Sequence, residues 1–309
     1  MLTLLGLAGL MLIGMALDAP AIEEDVLATP DDDAEPEAPG LDTVTGGVTD
    51  TVPGDTNFQG TEDDDWIEGS AGDDLIDGFD GADDIRAGAG DDLARGGGGG
   101  DVISGDYTLN DFGDDTILGG DGRDMLAGDG RNDLVDGGAD ADTLLGGDGD
   151  DMVQGGAGDD WLLGNAGGDT LVAGPGADDL SGDAGDDLLV ADDPDSPRDW
   201  LHGGDGDDTL AGATGDWLEG GAGADLFQLP AGAIQAGLTE GAQPVTLADF
   251  DPARDRIEIG LAAEALDSAA ISIDSQPDGT ALLLLNGAPV AHVLTPHGLD
   301  LSHVALRAL

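Results

Sequence analysis

Eighteen aspartates recur along this chain in a fixed rhythm: Asp65, Asp74, Asp83, Asp92 and Asp101, then Asp115, Asp124, Asp133, Asp142, Asp151, Asp160, Asp169, Asp178 and Asp187, then Asp199, Asp208, Asp216 and Asp225. Within the first two groups every step is nine residues. Small residues, mostly glycine, precede each one. Glycine accepts positive φ, so a tight loop can aim successive backbone carbonyls at the point where the carboxylate also lies, and the product is a cage of hard oxygens. Calcium takes about six to eight such oxygens and tolerates irregular geometry, whereas magnesium asks for a stricter octahedron and zinc for histidine or cysteine. The chain has no cysteine, and its four histidines, His202, His292, His297 and His303, show no ligand spacing.

The elements that position these carboxylates follow from the residue two places on. There stand Ile67, Ile76, Ile85, Ala94, Ile103, Ile117, Leu126, Val135, Leu144, Val153, Leu162, Leu171, Leu180, Leu189, Leu201, Leu210, Leu218 and Phe227, of which only Ala94 is small. In the unit Gly146–Gln154, GGDGDDMVQ, small residues fill the first, second and fourth positions, aspartate the sixth and an apolar residue the eighth. Positions seven to nine predict a short strand whose middle side chain points inward. An acidic run is ordinarily a solvated face or a disordered tail. A carboxylate kept in phase with an inward apolar residue through eighteen units excludes that reading.

The 68 acidic residues against eight arginines give a formal charge of −60, which excludes nucleic acid and anionic membrane surfaces as electrostatic partners and makes cations the natural counter-charge. One large inward side chain per nine residues is a thin core for so repulsive a chain, and no disulfide can staple it. Cation binding is therefore expected to be coupled to folding.

Four regions are expected. Residues 1–17, MLTLLGLAGLMLIGMAL, are an apolar run with no preceding Lys or Arg and no clear small-residue cleavage site. They read as an uncleaved membrane-associated helix or an atypical export signal, with a buried or partner-docked helix a third reading. Residues 18–57 have the Asp, Glu, Pro and Thr composition of a disordered linker. Residues 58–228 hold the repeats, with insertions around Tyr107 to Phe112 and Ala191 to Arg198 and a deletion near Ala213, all in turns. Residues 229–309 predict a small β-rich C-terminal domain with strands Val245 to Phe250, Arg256 to Ile259, Ile271 to Ile273, Thr280 to Leu285 and Pro289 to Leu294. Asn286-Gly287 predicts a type I′ hairpin turn between the last two.

The nonapeptide G-G-x-G-x-D-x-U-x resembles that of RTX, or haemolysin-type, proteins. The resemblance implies an all-β, right-handed parallel β-roll solenoid with two nonapeptides per turn and calcium between the loops of successive turns. Asp74 would then share an ion with the loop of Asp92, and Asp83 with that of Asp101. Eighteen units would make about nine turns, a rod roughly 43 Å long. Arg131 and Asp140 depart from the pattern by replacing the glycine at position four, and the first repeat, GTEDDDWIE, looks like a terminal cap. The segment LADFDPARDRIEI, residues 247–259, is similar to the segment on the C-terminal side of the roll in many RTX proteins, with Asp249, Phe250, Asp255 and Ile257 fitting. The resemblance further implies secretion by type I machinery that reads an uncleaved C-terminal signal. An apolar N-terminus is not needed for that route, and membrane tethering through residues 1–17 is the alternative.

RTX rolls also occur as accessory modules of secreted hydrolases, yet the chain has no H-E-x-x-H, no G-x-S-x-G and no cysteine nucleophile. The expectation is a binding protein and not an enzyme. Trp66, Trp161, Trp200 and Trp217 all occupy position seven of odd-numbered repeats. They should share one outer face, which either packs within the protein or docks a cell surface, a glycan or another roll.

Overall fold

A computed structural model describes residues 56–106, 112–191, 197–229 and 243–308, with Gly54 and the backbone of the short strands Asp42–Thr43 and Val48–Thr49. The apolar run 1–17 lies outside the described residues. Residues 41–309 form one compact unit.

Successive repeats alternate between a 13-stranded and a 14-stranded sheet, so each strand pairs in parallel with the strand two units further along the chain. Position eight sets the register. In one sheet Leu126, Leu144, Leu162 and Leu180 lie opposite one another in turn; in the other, Ile117, Val135, Val153 and Leu171 do. These side chains are fully buried between the sheets, while positions seven and nine face outward, as the two-residue period of a strand requires. The expected parallel β-solenoid is thus what the chain forms.

Insertions and deletion leave this register intact. Ala94 faces Ile117, Leu180 faces Leu201 and Leu201 faces Leu218, although the sequence intervals differ from the usual one. Length changes confined to turns leave the core undisturbed. Ala94 is itself fully buried and puts a smaller side chain in its layer.

Both ends of the roll extend past the eighteen units. Asp42–Thr43 and Val48–Thr49, inside the stretch expected to have no fold, each add a parallel strand, to Asn57–Gln59 and Trp66–Glu68 respectively. Their Thr and Val residues suit a strand. Beyond Phe227 the chain is β-rich, as expected, and its strands continue the two sheets: Leu218 pairs with Leu247, Phe227 with Ile257 and Ile257 with Val304. A meander of Ile271–Ser275, Ala281–Leu285 and Ala288–Val293 closes one sheet with antiparallel pairs. Asn286 and Gly287 form its predicted turn, with φ of 53° and 85°. Among the described residues no helix is long and apolar enough to cross a membrane.

Candidate metal centre

Each repeat aspartate is buried, and each is tied to the next turn by its own backbone. On one edge of the roll the N–H of Asp74 donates to Oδ1 of Asp92, that of Asp92 to Asp115, and so on through Asp133, Asp151, Asp169, Asp187, Asp208 and Asp225, at 2.7–3.1 Å. On the other edge the same ladder runs from Asp65 through Asp83, Asp101, Asp124, Asp142, Asp160, Asp178 and Asp199 to Asp216, at 2.8–3.1 Å. The pairings expected for Asp74 with Asp92 and Asp83 with Asp101 are adjacent rungs.

The glycines of the loop are required by close approach. A Cβ on Gly146, at position one, would lie 2.5 Å from Asp151 Oδ2 and 2.9 Å from the carbonyl oxygen of Gly164. At positions two and four, Cβ atoms on Gly156 and Gly167 would overlap the carbonyl oxygens of Gly138 and Gly149 one turn earlier. Rows of backbone oxygens therefore run along each edge beside the carboxylates. Arg131 and Asp140, which replace position-four glycines, still adopt positive φ, 82° and 75°.

The second carboxylate oxygen distinguishes two groups among the aspartates. At the ends of the roll it is taken by protein donors: Asp65 Oδ2 accepts from Thr61, Asp74 Oδ2 from Ser70 and Asp216 Oδ2 from the Ala213 N–H. In Asp83, Asp92, Asp101, Asp115, Asp124, Asp133, Asp142, Asp151, Asp160, Asp169, Asp187, Asp208 and Asp225 it is buried with no hydrogen-bond partner. A buried carboxylate oxygen without a donor is costly unless a cation meets it.

The electrostatics agree. Burial, reinforced by neighbouring rungs of the ladder, pushes Asp92 and Asp133 up to about 8 and Asp142 and Asp169 up to about 7. Burial likewise pushes Asp83, Asp101, Asp115, Asp208 and Asp225 up to about 6. Without a cation these carboxylates resist ionising. Among the described residues no three Asp, Glu or His side chains converge. A cation here would be held by single carboxylate oxygens and main-chain carbonyls, an all-oxygen donor set that fits calcium and not zinc. The histidines do not gather: His202 meets Glu219, His292 meets Thr280 and His303 meets Asp300.

Three features of the site were not read from the repeat. Asp255 continues one ladder, its Oδ1 accepting from the Asp225 N–H at 3.1 Å and its Oδ2 from the Asp251 N–H at 2.7 Å. Asp249 closes the last loop by accepting from the N–H groups of Gly220 and Gly221 at 2.9 and 2.7 Å. A second, exposed ladder runs through position five in the opposite sense, for example from Gly168 N–H to Asp150 Oδ1 at 2.8 Å and from Asp207 N–H to Asp186 Oδ1 at 2.8 Å. The enrichment of Asp at position five was its only signal.

A parallel β-solenoid with one buried carboxylate per nonapeptide and backbone oxygens stacked beside it defines a class of cation-binding repeat protein. The RTX calcium-binding nonapeptide repeat family matches residues 51–78, 59–94, 77–106, 111–135, 118–153, 127–162, 154–189, 198–216 and 211–228, and the chain belongs to it. Among solved structures the chain is similar to the extracellular lipase LipA from Serratia marcescens, at 20% identity over 82% of this chain and 40% of that one, with a TM-score of 0.19. The chain thus spans less than half the length of that lipase. No curated protein matches it.

Proposed function

We propose that this chain is a non-catalytic, secreted calcium-binding protein whose repeats stay expanded at the low calcium of the cell interior and fold outside. The observation that carries this reading is the set of buried Oδ2 atoms without donors named above, among them those of Asp83, Asp151 and Asp225. Those oxygens, with the main-chain carbonyls of positions one, two and four, would hold several ions per chain. Bound calcium supplies the positive charge that offsets the repulsion along each ladder. The aspartates themselves join adjacent turns through Oδ1, so that ordering one loop orders its neighbour. Extracellular modules bind calcium at about 10⁻⁴–10⁻³ M, a range that separates the two compartments. Export through type I machinery reading a signal in residues 229–309 accords with family membership. Equilibrium dialysis of the full chain against calcium tests the reading: several ions per chain are expected, and one or none would overturn it.

A second reading, a structural or adhesive protein of the cell surface, is favoured by the tryptophans. All four lie on the 14-stranded sheet, Trp66, Trp161 and Trp200 are exposed, and the Trp200 and Trp217 rings stand 5.4 Å apart. Exposed aromatic clusters mark docking surfaces. Under this reading, residues 1–17 hold the chain on the cell and W161A with W200A weakens surface binding or self-association. Free protein in the medium and unchanged binding by the double variant would dismiss it.

A further inference from the structure

Among the described residues, three repeats carry aspartate at position two, Asp106, Asp129 and Asp183, and one of the three turns its carboxylate inward. Asp129 and Asp183 have positive φ, 77° and 71°, are exposed, and accept from serine hydroxyls: Ser104 Oγ to Asp129 Oδ2 at 2.6 Å and Ser181 Oγ to Asp183 Oδ1 at 2.8 Å. Asp106 is not among the positive-φ residues, and it is only 5% exposed. Without positive φ the side chain at position two turns in towards the aspartate of its own loop, as that of Thr61 does to Asp65 and that of Ser70 to Asp74.

Among the described residues the inward carboxylate meets no adequate donor. Its Oδ1 is buried without a hydrogen-bond partner, and its Oδ2 accepts only a long bond, 3.4 Å, from the Gly113 N–H. In the same loop Asp115 Oδ2 is also buried without a partner. A Cβ on Gly105, next to Asp106, would collide with that oxygen and lie 2.7 Å from the Gly128 carbonyl oxygen. The charge of Asp115 acts most strongly on Asp106, that of Asp129 next, and both oppose it, while Arg131, from an exposed position, attracts it less strongly. No third carboxylate joins the pair among the described residues. Loops such as those of Asp133 and Asp151 offer one orphaned carboxylate oxygen; this loop offers two from different residues.

We propose that Asp106 and Asp115 together hold one calcium ion more tightly than any loop with a single carboxylate, and that this site fills first. The proposal rests on the calcium reading above and deepens it. The affinity of an oxygen site for calcium rises with the number of charged ligands and with rigidity, and this loop gains on the first count. The ladder then carries order outward, because Asp92 N–H donates to Asp115 and Asp115 N–H to Asp133 at 2.8 and 2.7 Å.

Calorimetric titration of the full chain with calcium tests it, using D106N, D106G and D183N. D106G supplies the commonest residue at this position and guards against a folding defect peculiar to asparagine. In the unsubstituted chain we expect a first phase of one ion, tighter than the rest by about tenfold or more. D106N and D106G lose that phase, keep the later ones and reach the same far-UV circular dichroism at saturating calcium; D183N keeps every phase. Isotherms of D106N and D106G that superimpose on that of the unsubstituted chain overturn the proposal and leave the calcium reading standing. A chain that binds no calcium at all overturns both.

Discussion

The N–H of Asp133 donates to Oδ1 of Asp151 at 2.9 Å, while Oδ2 of Asp151 is buried with no partner. One carboxylate thus performs two tasks. One oxygen fastens a turn to its neighbour and the other is left for a cation. D151N retains an acceptor for Asp133 and removes the charge, so the calcium midpoint of folding should rise several-fold and bound calcium should fall. Asp255, whose two oxygens are both engaged by backbone N–H groups, supplies the contrast. D255N leaves one donor facing an amide and should cost about 1–3 kcal/mol without changing the number of ions bound. Bound-metal stoichiometry beside denaturant unfolding separates the two variants.

Acid should partly replace calcium. Asp92 and Asp133 are pushed up to about 8, and Asp83, Asp101, Asp115, Asp208 and Asp225 up to about 6, from an ordinary 3.8, by burial first and by neighbouring carboxylates second. A carboxylate whose folded pKa is raised binds more protons folded than unfolded. Its contribution is therefore fully present below the unfolded value and lost as pH rises through the folded one. In chelator, β-structure should grow as pH falls from about 8 towards 4. With calcium bound the sign reverses, and affinity should weaken over the same fall. Circular dichroism across pH, with and without chelator, reads both arms.

Gly167, at position four of its repeat, should be intolerant of a side chain. Gly167 has φ of 145°, and a Cβ there would overlap the Gly149 carbonyl oxygen. G167A should destabilise the calcium-loaded roll by about 2–4 kcal/mol, measured as a shift in the denaturation midpoint.

The core is one side chain thick, so each layer counts. Leu162 is fully buried and faces Leu144 and Leu180. L162A should cost about 2–5 kcal/mol at saturating calcium and broaden the unfolding transition, since the turns on either side lose their shared contact.

The roll was legible because Asp and the apolar residue two places on, as in Asp151 and Val153, keep one phase; that phase gives strand, turn, inward face and eighteen-residue pairing together. Asn286-Gly287 was legible as a turn for the same local reason, its need for positive φ. The hidden features depend on contacts between distant residues. Asp255 joins the ladder of Asp225 across an interval of 30 residues, which no nine-residue period indicates. Asp65, Asp74 and Asp216 share the repeat signature of Asp151, yet local donors already occupy their second oxygens. Asp106 is one residue in an insertion-bearing repeat, and its inward turn depends on a backbone angle that composition does not encode.

The most direct test of calcium-coupled folding is a far-UV circular dichroism titration of the full chain with calcium, reversed by chelator, with bound metal counted in the same samples. Coupled folding predicts a cooperative rise of β-structure at about 10⁻⁴–10⁻³ M calcium, several ions per chain and full reversal on chelation at neutral pH. β-structure that forms to the same extent in chelator at neutral pH would contradict it.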